Sequence, residues 1–284
     1  MMHYEGTFAG VRGIEIHYQY WLPERKPRAL LLIVHGLAEH SARYANIVNY
    51  FVPLGYAIYG FDHIGHGKSA GKRVYVRQFD DFVSVLSTYI DSISTRHPEV
   101  PLFMFGHSLG ALISVVYLLD PLSSIAGAVL SGPLVEVPDN ISAVTVALSR
   151  LLSLVIPTLG VAAIDPTGVS RSQAVVRAYL EDPLVHTGRI TARLAYEMLR
   201  AMRHVARQTS NIKLPLLVMQ GNADRLVSPQ GAETLYRLAG SADKTLKVYD
   251  GLYHELHNEP ERELVFADVE EWLRKRSDPT QTHS

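Results

Sequence analysis

The 284-residue chain contains no cysteine. That removes a disulfide scaffold, a thiolate nucleophile and a cysteine-based zinc site together. Net charge is nearly absent as well: 27 basic residues against 28 acidic ones leave −1. So balanced a chain offers no field for nucleic acid, which is not expected as a partner, and no broad pull toward anionic membranes. The first residues lack a basic stretch followed by an apolar one, so they do not read as a signal peptide. A cytoplasmic or peripherally membrane-associated protein is expected. The 13 histidines are scattered rather than grouped at ligand spacing, so neither a metal nor a cofactor is expected. What the chain has in quantity is apolar side chain, 47% of the total, enough for a large core in one domain with an insertion.

Along the chain, short apolar runs alternate with helical patterns. Strand-like runs fall at 14–21, 30–34, 56–61, 102–105, 128–130, 216–219 and 246–249; helical spacing marks 43–51, 79–95, 111–119, 233–239 and 261–274. Continuous apolar strands separated by helices predict a mostly parallel central sheet with helices on both faces. The alternation stops after residue 132. Two helices are expected at 140–156 and 191–204, and the strand pattern resumes at Leu214. The expected organisation is therefore a core formed by 1–132 and 205–284, with a helical cap inserted at 133–204.

Gly106-His107-Ser108-Leu109-Gly110 sits between an apolar strand and a buried helix. This is the strand–turn–helix setting of a nucleophile elbow, where glycines spare a tight turn the collisions that side chains would cause. A serine hydroxyl needs a base to attack at neutral pH. In such folds an acid and then a histidine follow the serine in chain order, at the C-terminal ends of strands. Asp224, in Gly221-Asn222-Ala223-Asp224-Arg225, and His254, in Asp250-Gly251-Leu252-Tyr253-His254, occupy those places. Ser108, Asp224 and His254 are the expected nucleophile, acid and base. Asp250 and His257 are their nearest competitors. The oxyanion hole is expected from the backbone N–H groups of Leu109 and of Leu37, which follows His35-Gly36 after the strand at 30–34. In Asp62-His63-Ile64-Gly65-His66-Gly67 the aspartate is expected to hold the loop, and His107 to pack and hydrogen-bond at the elbow.

These segments, with His35-Gly36-Leu37-Ala38-Glu39-His40, Arg43-Tyr44, Asp182-Pro183-Leu184 and Tyr253-His254-Glu255, resemble the monoacylglycerol lipases. That branch belongs to a wider α/β-hydrolase group with serine aminopeptidases and lysophospholipases. The resemblance runs over residues 8–274, although related enzymes often carry Met where this chain has Leu109. It implies an α/β-hydrolase fold, a lipid ester substrate cleaved to fatty acid and glycerol through an acyl-enzyme, and an alcohol-binding end made by Glu39, Arg43 and His257. Read on spacing alone, Glu39 and Arg43 are a surface pair four residues apart.

Peptidase, lysophospholipase, short-chain esterase and C–C hydrolase chemistry share the triad. A non-catalytic receptor of the same fold is the alternative of another kind. Serine at 108 separates the chain from the epoxide hydrolases and haloalkane dehalogenases, which carry aspartate there. A helical stripe of Ile141, Val144, Leu148, Leu151 and Val155 further predicts a cap that touches membrane or micelle surfaces reversibly. Oligomeric state is not legible.

Overall fold

The computed structural model describes residues 1–121, 123–136 and 143–277. Eight strands form one sheet: β1 (Met2–Ala9), β2 (Glu15–Leu22), β3 (Ala29–Val34), β4 (Tyr56–Phe61), β5 (Leu102–His107), β6 (Gly127–Ser131), β9 (Leu216–Gly221) and β10 (Lys244–Tyr249). Their order is β1-β2-β4-β3-β5-β6-β9-β10. Only β1–β2 and β2–β4 pair antiparallel; from β4 to β10 every neighbour is parallel.

The apolar strand runs are explained by burial on both faces. Leu30, Leu32 and Val34 of β3 join one core with α2 (Asp80–Arg96), α3 (Leu109–Leu118) and α7 (Pro229–Leu238). Leu31 and Ile33, pointing the other way, join a second core with α1 (Ala45–Phe51) and α8 (Arg262–Ser277). The mostly parallel sheet sandwiched by helices is thus as expected. β1 was not expected. It is an edge strand, largely exposed on both faces, and so lacks the apolar alternation that reveals half-buried strands.

Between β6 and β9 come α4 (Ala143–Val155), β7 (Gly160–Ala163), α5 (Gln173–Glu181), β8 (Arg189–Thr191) and α6 (Ala192–Gln208). β6 and β9 are nonetheless adjacent and parallel, so the sheet continues past the insertion. The expected helix at 140–156 begins here at Ala143, residues 140–142 lying outside those described; Ile141 and the side chains of Val144 and Leu148 lie outside them too. The helix expected at 191–204 runs further, to Gln208. The hairpin β7–β8 contradicts the expectation that no strand interrupts this region. Strands of four and three residues, one spelled Gly-Val-Ala-Ala, are too short to show a period. Among the described residues no helix is long and apolar enough to cross a membrane.

Candidate active site

Ser108 stands at the junction of β5 and α3 with φ 53° and ψ −117°, in a region that L-residues seldom enter. Two glycines make that turn possible. A Cβ at Gly110 would lie 1.9 Å from the Val34 carbonyl oxygen, and one at Gly106 would lie 2.9 Å from Ala111 Cα. The Ser108 N–H donates to the Ser131 carbonyl (3.0 Å) and its carbonyl accepts from Leu134 N–H (3.3 Å), which ties the elbow to the end of β6. The Leu109 N–H belongs to the first turn of α3, whose donors have no partner within the helix.

His254 and Asp224 approach from the loops after β10 and β9. His254 Nδ1 lies 2.7 Å from Asp224 Oδ2, and both side chains are buried. Asp224 Oδ1 accepts from the N–H groups of Leu226 (2.8 Å) and Val227 (3.1 Å). Burial alone would lower the His254 pKa, but the charge and hydrogen bond of Asp224 hold it above the ordinary value. Burial works against the Asp224 carboxylate in turn, and His254 with the two N–H groups outweighs it, leaving that pKa low. The competitors are placed elsewhere. Asp250 accepts from Asn222 Nδ2 at the surface (2.8 Å), and the His257 ring is enclosed one layer below.

Ser108 and His254 line one cavity of about 350 Å³. Its apolar lining includes Leu37, Leu134, Ile164, Val169, Met198 and Leu226, and its polar lining includes Glu39, Glu255, Tyr179 and Arg225. A larger groove of about 720 Å³ lies by Arg28, Leu102 and Ala126, at the opposite ends of the strands, and contains none of the expected site residues.

The loop after β3 is fixed by two side chains. Glu39 Oε1 accepts from Gly36 N–H (2.6 Å). His35 Nε2 accepts from His63 N–H (2.9 Å), so the ring proton is on Nδ1, which donates to the Gly36 carbonyl (2.8 Å). That second bond orients the Gly36–Leu37 peptide, and Leu37 forms part of the cavity wall. Asp62 secures the neighbouring loop, accepting from Ser41 N–H (2.9 Å), Ser41 Oγ (2.7 Å) and Lys68 N–H (2.8 Å). His107 is buried at the elbow with Nδ1 3.1 Å from the Ser131 carbonyl.

The expected alcohol-side residues do not stand together on the cavity wall. Glu39 and Arg43 are not a surface pair: both are buried, with Arg43 Nη1 2.9 Å from Glu39 Oε2. Arg43 also makes a two-pronged contact with Glu255, at 2.7 and 2.8 Å, and its guanidinium stacks 4.6 Å from the centre of the Tyr179 ring on α5. His257 is fully buried and stacks on Tyr44 with ring centres 4.5 Å apart, so it does not reach the cavity. Burial takes its pKa down to about 4. Burial, reinforced by Glu255, raises the Glu39 pKa against the pull of Arg43; at Glu255 the same arginine overcomes burial and lowers it. Glu255 and Tyr179 were not anticipated as site residues. A charged residue directly after a candidate catalytic histidine was the available signal for Glu255; nothing local marks Tyr179.

A serine at a strained elbow, an imidazole held by a buried carboxylate and backbone donors at a helix start together suit acyl transfer. The family model described as serine aminopeptidase, S33, matches residues 25–261. A monoacylglycerol lipase of Mycolicibacterium smegmatis is 39% identical over 269 residues, 95% of this chain and 96% of that protein. The human monoglyceride lipase is 36% identical, covering 91% of this chain and 86% of its own. Among solved structures, the monoacylglycerol lipase of Paleococcus ferrophilus superposes with a TM-score of 0.78 at 33% identity, over 96% of this chain and 99% of that one.

Proposed function

The chain belongs to the serine aminopeptidase S33 family of hydrolases and is a serine ester hydrolase of the monoacylglycerol lipase type, and from that premise we propose how its residues divide the work. Ser108 is the nucleophile, His254 the base and Asp224 the acid. His254 takes the Ser108 proton as Oγ attacks the ester carbonyl. The oxyanion is held by the N–H groups of Leu37 and Leu109. Collapse releases glycerol, protonated by His254, and leaves the acyl-enzyme. Water, deprotonated by the same imidazole, then frees the fatty acid. The observation that carries this reading is the 2.7 Å His254–Asp224 contact beside Ser108, in one cavity lined by both apolar side chains and carboxylates.

The apolar lining accommodates the acyl chain. On the polar side Glu39 meets the glycerol hydroxyls directly. Arg43 acts by holding Glu39 and Glu255 in place, and His257 acts from behind through Tyr44, which donates to Glu39 Oε1 (2.7 Å). Residues 133–204 form a cap over a core made of 1–132 and 205–284, and the exposed apolar side chains of α4 rest reversibly on membrane or micelle surfaces. The protein works in the cytoplasm or at the membrane periphery.

A panel of a monoacylglycerol, a lysophosphatidylcholine and an aminoacyl amide, assayed below their micelle concentrations, tests the assignment. The monoacylglycerol is expected to give the highest kcat/KM, and Ser108→Ala to lower it by roughly 10⁴- to 10⁶-fold with the fold retained. A preference for the amide or the lysolipid, or more than a few per cent of activity in Ser108→Ala, would overturn it.

A further inference from the structure

Charge is nearly balanced over the chain and unevenly placed within it. From α4 through α6 there are eight arginines, no lysine and only four acidic residues, while the whole chain stands at −1. Several of those arginines gather around one apolar ridge. Leu151, Leu154, Val155, Ile156 and Leu159 are 41–67% exposed, the densest set of exposed large apolar side chains in the described residues. Arg150 is exposed on the same helix, one turn before Leu154. Arg189 crosses Gly160, whose Cβ would stand 2.8 Å from Arg189 Cβ, next to Leu159. The N–H of Arg193 donates to the Pro157 carbonyl (3.0 Å) and its guanidinium reaches Ser153 Oγ (3.1 Å) and the Arg77 carbonyl (2.7 Å). Arg193 is spent within the fold, its guanidinium 3.6 Å from the buried Glu197 carboxylate, whereas among the described residues Arg77, Arg150 and Arg189 take part in no ion pair.

An apolar ridge alone would enter any lipid surface. A rim of guanidinium groups adds a choice among them, because the planar fork bonds phosphate in a two-pronged way that a neutral zwitterionic surface does not reward with net charge. We infer that the rim formed by Arg77, Arg150 and Arg189 directs the α4 ridge to lipid surfaces with an excess of anionic phosphate headgroups. This rests on the reading that α4 meets lipid at all, and it reverses what the net charge of the chain suggests. Each cation brought near such a surface strengthens binding about fivefold, and the effect decays over a Debye length.

The experiment is co-sedimentation of the full chain with two kinds of vesicle, phosphatidylcholine alone and phosphatidylcholine containing one quarter phosphatidylglycerol. Wild type is expected to partition onto the anionic vesicles at least tenfold more strongly at low salt, with the difference removed by high salt. Arg150→Gln with Arg189→Gln is expected to lose most of that difference, to keep its binding to neutral vesicles, and to hydrolyse a soluble short-chain ester at the wild-type rate. Equal wild-type binding to both vesicles overturns the charge selection and leaves the lipid reading standing. Absence of binding to either overturns both. A double variant that keeps the full preference, with its soluble-ester rate intact, removes the role from this rim.

Discussion

The two parts of the insertion are held by opposite means. Residues 166–204 are fastened to the core by buried or half-buried polar contacts. His40 Nε2 lies 2.9 Å from Asp182 Oδ2 beside the loop after β3. Ser170 Oγ donates to Glu259 Oε1 (2.5 Å), and the Val169 carbonyl accepts from Glu255 N–H (2.8 Å), beside the loop of His254. Buried Glu197 accepts from Phe79 N–H (3.1 Å). Among the described residues, the end of α4 and the turn to β7 are tied to α6, by Arg193 to the Pro157 carbonyl and Ser153 Oγ and by the Ala192 N–H to the Leu159 carbonyl, rather than to the core, and they present apolar side chains outward. Directional contacts specify one geometry for the part that walls the polar end of the cavity. Non-directional apolar surface leaves the other part free to change its neighbours.

That contrast can be broken most forcefully at Arg43. Arg43→Ala leaves Glu39 and Glu255 buried without their counter-charge and removes the stack on Tyr179. A loss of about 3–5 kcal/mol is expected in urea denaturation, with hydrolysis of all esters impaired, because Glu39 can no longer hold Gly36. A loss below 1 kcal/mol would mean that the carboxylates find water instead.

Acid attacks the same side of the comparison. Burial holds His63 at about 3 and both His66 and His257 at about 4, against 6.5 for each in the unfolded chain. Their folded-state pKa values are depressed, so the stability they confer is present above 6.5 and is lost as pH falls from there toward 4. Each takes away about 1.4 kcal/mol per pH unit. His17 and His254 have raised pKa values, so their contribution runs the other way, present below 6.5 and lost as pH rises through the folded value. His35 and His107, which burial likewise holds well below the ordinary value, add to the loss, so the balance predicts a net loss on the order of 4 kcal/mol between pH 6.5 and 5.5, read from the urea midpoint. An unchanged midpoint would refute it. With His254 as the proposed base, kcat/KM is expected to fall over the same range as the imidazole takes up a proton, and its raised pKa brings that fall in early.

Asp182→Asn is a milder cut. It removes the charge facing His40 and keeps a hydrogen-bonding group, so about 1 kcal/mol is expected, together with faster proteolysis of the insertion. On the other side, Leu154→Ser, at a position 64% exposed, should shift stability by no more than about 0.5 kcal/mol. A large loss there would show that the ridge is packed in solution, and the two parts of the insertion would no longer differ in kind.

The legibility of the chain follows the same division. The parallel strands could be read because burial on two faces demands continuous apolar runs. The elbow could be read because its backbone conformation demands glycine at 106 and 110. The contact between Asp224 and His254 was reachable from chain order and strand ends alone. Hidden features have equally physical reasons. β1 is wet on both faces; β7 and β8 are too short for a period; α5 buries only Val176 and Tyr179. Spacing also placed Glu39 and Arg43 as neighbours four apart, yet could not tell that Glu255, more than two hundred residues away, completes them.

The backbone at Ser108 sets selection for durability against selection for turnover. With φ at 53° and ψ at −117° this position suits glycine better than serine. Directed evolution scored only on heat tolerance or expression would therefore be drawn to Ser108→Gly. With Ser108 as the proposed nucleophile, it would enrich clones that are sturdier and catalytically empty, so any improvement campaign on this scaffold has to couple its survival screen to ester turnover.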